Sequence, residues 1–314
     1  MTDSPKDIIS RFVNEKLSDI SGLKDFCFAD LRGTYYGRCS GSSSFDCDNT
    51  RLANAIYVLL WGGDGNIFPG LTMENVGSGK DFPFRGDTMN SFRSVLGSKV
   101  LPRKTDKEPE VTPNIVNWVE ENAAYPDDKN VLPGIISWWR HYGMGKKVQD
   151  FYLLYHTIGN FVVLPNRPLQ SEKGSFILNT YRGSTWNDFF DRFLIELDKV
   201  LPAYDSTMGA ESNVLPAHDG KKDTELDVFV SRSAFCGKTL RGLTDALFLR
   251  DYMNGDNTAP IPLFEPYSTT EKFRKNIDNE EYRVFAMRYI DTATKIISHR
   301  ADIMCNRLSE LLEA

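Results

Sequence analysis

The last part of the chain, from Asp278 to Leu312, constrains the fold most, because its apolar residues keep a helical period almost to the end. Ile297, Ala301, Met304, Leu308 and Leu311 are spaced 4, 3, 4 and 3. Such a segment is one long helix or two, and its apolar seam must be covered. Two covers fit the spacing: a second helix in a coiled-coil contact, which makes the chain a homo-oligomer, or the protein's own core.

Other segments repeat the helical period. Residues 5–18 predict a helix capped by Ser4, with Pro5 in its first turn and Ile8, Ile9, Phe12, Val13 and Leu17 on one face. Residues 48–63 predict a second, capped near Asp48 to Thr50 and stopped by Gly62 and Gly63. Further helices are expected over 86–97 with Asp87 as cap, from Thr112 and Pro113 through Trp118, from after Pro133–Gly134 to Gly143, over 146–155, over 184–200 and over 239–253. Strand signals are short: Phe161 to Leu164 stopped by Pro165, residues 174–184, residues 225–230, and the Gly- and Ser-rich stretch 27–46. Helices outnumber strands and regular β-α-β alternation is missing, so the expected class is mainly helical α+β, with a small sheet of short strands and a long C-terminal helix over 278–312. The 314 residues are read as a single globular domain, with the polar stretch 203–224 as a mobile loop.

Composition narrows the function. Net charge is −6, which weighs against a generic nucleic-acid coating protein. Residues 85–104 are locally basic, with Arg85, Arg93, Lys99, Arg103 and Lys104 against Asp87. The five cysteines form no C-x-x-C and the four histidines lie far apart, so no metal site is expected and the thiols read as reduced, in the cytoplasm. No apolar run reaches the length of a membrane span and the N-terminus lacks a signal-peptide core.

Against this background the stretch F-Y-L-L-Y-H-T-I-G-N-F-V-V-L-P-N-R, residues 151–167, stands out, since a buried strand has no need of His156, Thr157, Gly159 and Asn160. The spacing predicts a helix end, a turn over Thr157 to Asn160, and a strand. The candidate site runs from residue 156 to 192. His156 is the candidate proton-transfer group, while Asn160, Asn179, Arg167 and Arg182 are candidate ligand contacts. Arginine forks suit a phosphate, and Gly183 leads into a helix N-terminus where an anion is favoured. Arg85 and Asn90, in F-R-G-D-T-M-N-S-F, form a second candidate anion site. A third stretch, residues 31–50, carries Cys39 and Cys47 among glycines and serines but has neither phosphate-loop spacing. H-E-x-x-H and G-x-S-x-G are also absent, and no cofactor is indicated.

Thr157, Ile158, Gly159, Pro165 and Asn166, then Asn179, Arg182 and Gly183, then Asp191, Arg192 and Phe193 resemble the motifs of an uncharacterised bacterial family, a domain of unknown function. The earlier F-D-C-D stretch, leading into a helix that ends in L-L-W, is similar to that family's opening. The resemblance spans residues 40–250, with gaps, and implies no activity. A weaker resemblance links H-T-I-G-N-F-V-V-L-P-N to the tail of His-Asn-His nucleases of bacterial defence systems. Those nucleases need an upstream acidic-His pair to hold a metal, and here the nearest upstream histidine, His141, follows Arg140.

Three readings result: a protein that binds an anionic, phosphate-bearing ligand such as a nucleotide or nucleic-acid fragment, with His156-assisted chemistry; a non-catalytic protein that associates through its C-terminal helix; and a phage-defence nuclease.

Overall fold

A computed structural model describes residues 3–39, 45–63, 67–68, 70–76, 84–89, 95–97, 111–125, 128–164, 190–191, 194–195, 198, 239–265 and 279–314. The organising element is the C-terminal helix, α7 in the numbering used below (Asn279–Glu313), which at 35 residues is about 52 Å long. Ile297, Ala301, Met304 and Leu308 on its seam are wholly buried. The seam faces a 3-10 turn at Ile158–Asn160, another at Ile20–Lys24, and helices α5 (Gly145–Tyr155) and α2 (Arg51–Trp61). Of the two covers that the spacing allows, the protein's own core is the one these four residues meet. Its apolar surface is already spent on the protein's own core, and burying it twice is impossible.

The remaining helices assemble around α7. Helix α1 (Pro5–Lys16) begins where the sequence predicts: Ser4 and Asp7 form a reciprocal capping box, and Ile8, Ile9 and Phe12 are buried against α2. In α2, the Thr50 hydroxyl accepts from the Ala53 amide at 3.2 Å. Gly62 ends the helix where a Cβ would lie 2.6 Å from the Val58 carbonyl oxygen, so only glycine fits. Helix α3 (Pro113–Asn122) packs on α4 (Asp128–His141), and α4 on α5. A short α6 (Leu240–Ala246) is followed by a 3-10 turn at Arg250–Tyr252, where an unbroken helix to residue 253 was expected.

Strand β1 (Phe84–Asp87) pairs antiparallel with β2 (Phe161–Leu164) in the register Phe84–Leu164, Arg85–Val163, Gly86–Val162 and Asp87–Phe161. The chain is thus a mainly helical α+β protein, with seven α-helices and one two-stranded sheet among the described residues.

Three local expectations are corrected. Asp87 is not a helix cap. It ends β1, because the buried residues Phe161 to Val163 need a partner for their backbone groups and β1 supplies it. Helix α4 is not broken at Pro133 but runs through it. The lost hydrogen bond costs about 3 kcal/mol, which burial of Leu132, Ile135, Ile136 and Trp139 outweighs at roughly 2 kcal/mol each. Residues 27–39 form a 3-10 turn at Phe28–Leu31 and tight reversals instead of strands, with a lone bridge from Cys39 to Thr50. Gly33 there takes a φ of 77°, and a Cβ on Gly37 would meet the Leu31 carbonyl oxygen at 1.9 Å. Phe190, Asp191, Leu194, Ile195 and Asp198 are helical, as expected of 184–200. The expected strands at 174–184 and 225–230 and the expected loop at 203–224 lie outside the described residues. No helix among the described residues is long and apolar enough to cross a membrane.

Candidate functional site

The H-T-I-G-N turn joins α5 to β2, and each of its polar groups has a different task. The Thr157 hydroxyl donates to the Leu154 carbonyl at 2.8 Å and closes the end of α5. Gly159 lies directly on α7: a Cβ there would sit 1.9 Å from the Ile297 carbonyl oxygen and 2.9 Å from the Ala301 Cβ. Asn160 is wholly buried. Its Oδ1 accepts from the Met89 amide at 2.8 Å and the Thr88 hydroxyl at 3.0 Å. Its Nδ2 donates to the carbonyls of Met89 at 3.0 Å and Tyr155 at 2.9 Å. An amide has two donors and two acceptor positions, and all four are used. Asn160, a candidate ligand contact by sequence, is therefore a cross-link between the turn and the end of β1, with nothing left to offer a ligand.

Below the turn lies Arg300 of α7, also wholly buried. Its guanidinium donates to the Gly159 carbonyl through Nη1 and to those of Phe161 at 2.9 Å and Leu247 at 3.1 Å through Nη2; Nε donates to Phe248 at 3.0 Å. One side chain thus gathers β2, the turn and the segment after α6 onto α7. Phe248 sits at φ 58°, a strained conformation for a bulky residue, and the bond to Arg300 helps hold it there. Burial lowers the Arg300 pKa to about 10, so it remains a cation at neutral pH. The sequence reading passed over Arg300. Its signal was available: it lies three residues after Ile297 and four before Met304, inside the apolar seam.

His156 lies among the rings of Tyr155, Tyr152 and Tyr125 at centroid distances of 4.7, 5.0 and 5.7 Å. The Tyr152 hydroxyl accepts from the Ala124 amide and donates to Asp128, both at 2.7 Å. The Tyr125 hydroxyl donates to Asp46 at 3.0 Å. His156 is 2% exposed, and its Nε2 has no hydrogen-bond partner among the described residues. Burial, opposed by Asp128 and Asp46, lowers its pKa to about 4. At neutral pH it is an uncharged ring without solvent access, the opposite of a group poised to exchange protons near pH 7. Nearby, burial raises the Cys47 thiol well above its usual range and that of Cys27 to about 12, so neither is a ready thiolate.

The buried histidine makes stability depend on pH. Its pKa is about 4 when folded, against 6.5 unfolded, so between these values the unfolded chain binds the extra proton. The stability held above pH 6.5 is lost as pH falls, by about 3 kcal/mol once pH 4 is passed. Urea unfolding of the parent and of His156→Phe across this range should show the variant gaining on the parent by about 3 kcal/mol on acidification, since phenylalanine takes up no proton. A constant difference would assign the acid sensitivity to other groups.

Of the residues singled out in sequence, the structure brings two segments together: β1, carrying Arg85, and the turn carrying His156 and Asn160. The backbone of Arg85 pairs with Val163, and the Thr88 amide donates to the Asn160 carbonyl at 2.8 Å. Asn90, Arg167, Asn179 and Arg182 lie outside the described residues. A groove of about 440 Å³ lies between α5 and α7, but its lysines are matched by carboxylates: Lys146 pairs with Asp150, and Lys147 with Asp291 at 2.5 Å. No three His, Cys, Asp or Glu side chains among the described residues are placed to hold a metal ion. Comparison of the chain with protein-family models, curated proteins and solved structures finds no match.

Proposed function

We propose that the protein binds an anionic, phosphate-bearing ligand, a nucleotide or nucleic-acid fragment, beside the β1–β2 sheet. Arg85, Asn90, Arg167, Asn179 and Arg182 supply the contacts. The observation that carries this reading is the pairing of β1 with β2, which ends at the Asn160 cross-link to Thr88 and Met89. It sets the backbone of the Arg85 stretch against the strand that leads into Asn166 and Arg167, so two cationic stretches far apart in sequence start from one small sheet. Arginine is suited to this task because its planar fork matches a phosphate in two places.

The reading gives His156 and Asn160 structural tasks, and it describes binding without histidine-driven proton transfer. The self-association alternative has lost its motive, since the α7 seam is internal. The nuclease alternative gains nothing from the described residues.

Thermal unfolding with nucleoside mono-, di- and triphosphates and with short oligonucleotides tests the reading. A ligand present at about 100 times its Kd stabilises the folded state by about 2.7 kcal/mol, which moves the unfolding temperature by a few degrees. The expected result is such a shift for at least one phosphate compound, lost in Arg182→Ala and in Arg85→Ala. No shift with any of them, and identical behaviour of Arg182→Ala, would overturn it.

A further inference from the structure

The groove between α5 and α7 is a poor anion site because its charges come in both signs, and that same balance fits it for a different occupant. Its volume of about 440 Å³ lies within the range of small-molecule sites, about 300–1,000 Å³. The floor is apolar. Leu154 of α5 lines it half-buried, and Phe151 and the α7 residue Ile290 line it from within the core. The rims are charged. Lys147 on α5 meets Asp291 on α7 at 2.5 Å, so this ion pair spans the groove from helix to helix. Lys146 and Asp150 pair along the α5 rim, one turn apart.

This arrangement discriminates between occupants. A ligand of one sign gains from one member of the spanning pair and is repelled by the other. An uncharged apolar ligand strips water from the Lys147–Asp291 pair and offers nothing in return. An occupant that carries both signs a few ångströms apart, on an apolar body, avoids both costs. Its carboxylate takes the lysine, its ammonium takes the aspartate, and one ion pair becomes two. The exchange begins from a pair that opens easily. The Lys147 side chain is 34% exposed and that of Asp291 53%, and pairs so open to water contribute little stability. An α-amino acid is a small molecule with this pattern: its two charged groups share one carbon, and an aliphatic side chain is left for the floor.

We propose that the α5–α7 groove binds a free α-amino acid with an aliphatic side chain, of the leucine type. The carboxylate rests on Lys147, the ammonium on Asp291 and the side chain on Leu154. The groove shares no residue with the site assigned to the phosphate-bearing ligand, and leucine carries no phosphate, so the two readings fail separately.

The test is isothermal titration calorimetry of the full chain with L-leucine in a phosphate-free buffer. Three comparison ligands are titrated beside it: N-acetyl-leucine, which lacks the ammonium, leucinamide, which lacks the carboxylate, and glycine, which lacks the side chain. L-leucine is expected to bind saturably with a Kd of about 1 mM or tighter. Each comparison ligand should bind about tenfold more weakly, the effect of one lost charged partner or of the lost apolar contact. Lys147→Gln and Asp291→Asn should each weaken L-leucine by about tenfold as well. Thermal unfolding checks that both variants remain folded, and the ligand series on the parent decides the matter if either does not. Absence of saturable L-leucine binding, or equal affinity for N-acetyl-leucine or leucinamide, would overturn the proposal. So would folded Lys147→Gln and Asp291→Asn variants that bind L-leucine as the parent does.

Discussion

Replacement of Arg300 by methionine is expected to destabilise the fold by about 4 kcal/mol, read as a lower urea midpoint with little change in slope. Methionine fills much of the same volume but donates nothing. The carbonyls of Gly159, Phe161, Leu247 and Phe248 then lose a shared donor in the interior. A buried acceptor left without a partner costs about 1–3 kcal/mol, while removal of the buried charge returns part of the total. The net loss is therefore smaller than four separate penalties would suggest. Arg300→Lys should be intermediate: an ammonium keeps the charge but has three donors for four carbonyls, and no planar fork to span two segments. If Arg300→Met unfolds within about 1 kcal/mol of the parent, the guanidinium is not what gathers these segments.

The helical skeleton was legible in the sequence wherever a strong period coincided with caps. The Ser4–Asp7 capping box starts α1, Thr50 and Gly62 delimit α2, and Asn279–Glu313 lies within one residue of the expected C-terminal helix. The turn at 157–160 and the strand at 161–164 were legible because apolar residues resume immediately after Gly159 and Asn160. Errors arose where a distant partner decided the outcome. Asp87 has the chemistry of a cap, yet a strand more than 70 residues away claims its backbone. Pro133 looks like a helix breaker until Trp139 and its neighbours are seen to be buried.

The site was legible in a more limited sense. The unusual composition of H-T-I-G-N was a true signal, but of a junction. A polar residue in an apolar run reports that something needs a hydrogen bond or close approach, and sequence alone does not tell a ligand from the protein's own backbone. Asn160 and Gly159 answer to the backbone. Arg300, which completes the junction, lies about 140 residues further on, and only the fold shows that it belongs to the same place.

The central claim is that this turn is a packed joint, and Gly159 tests it most directly. Its backbone rests on α7 so closely that a methyl group would overlap the Ile297 carbonyl oxygen, at 1.9 Å. A helix carbonyl cannot yield by more than an ångström without disturbing the Arg300 bonds one turn away. Overpacking of this kind costs about 1–3 kcal/mol, and partial loss of the Arg300–Gly159 bond adds to it. Equilibrium urea unfolding of Gly159→Ala is therefore predicted to show a loss of about 4 kcal/mol, or no cooperative transition at all. A variant as stable as the parent that fails to bind a phosphate compound the parent binds would contradict the account and make the turn a ligand loop.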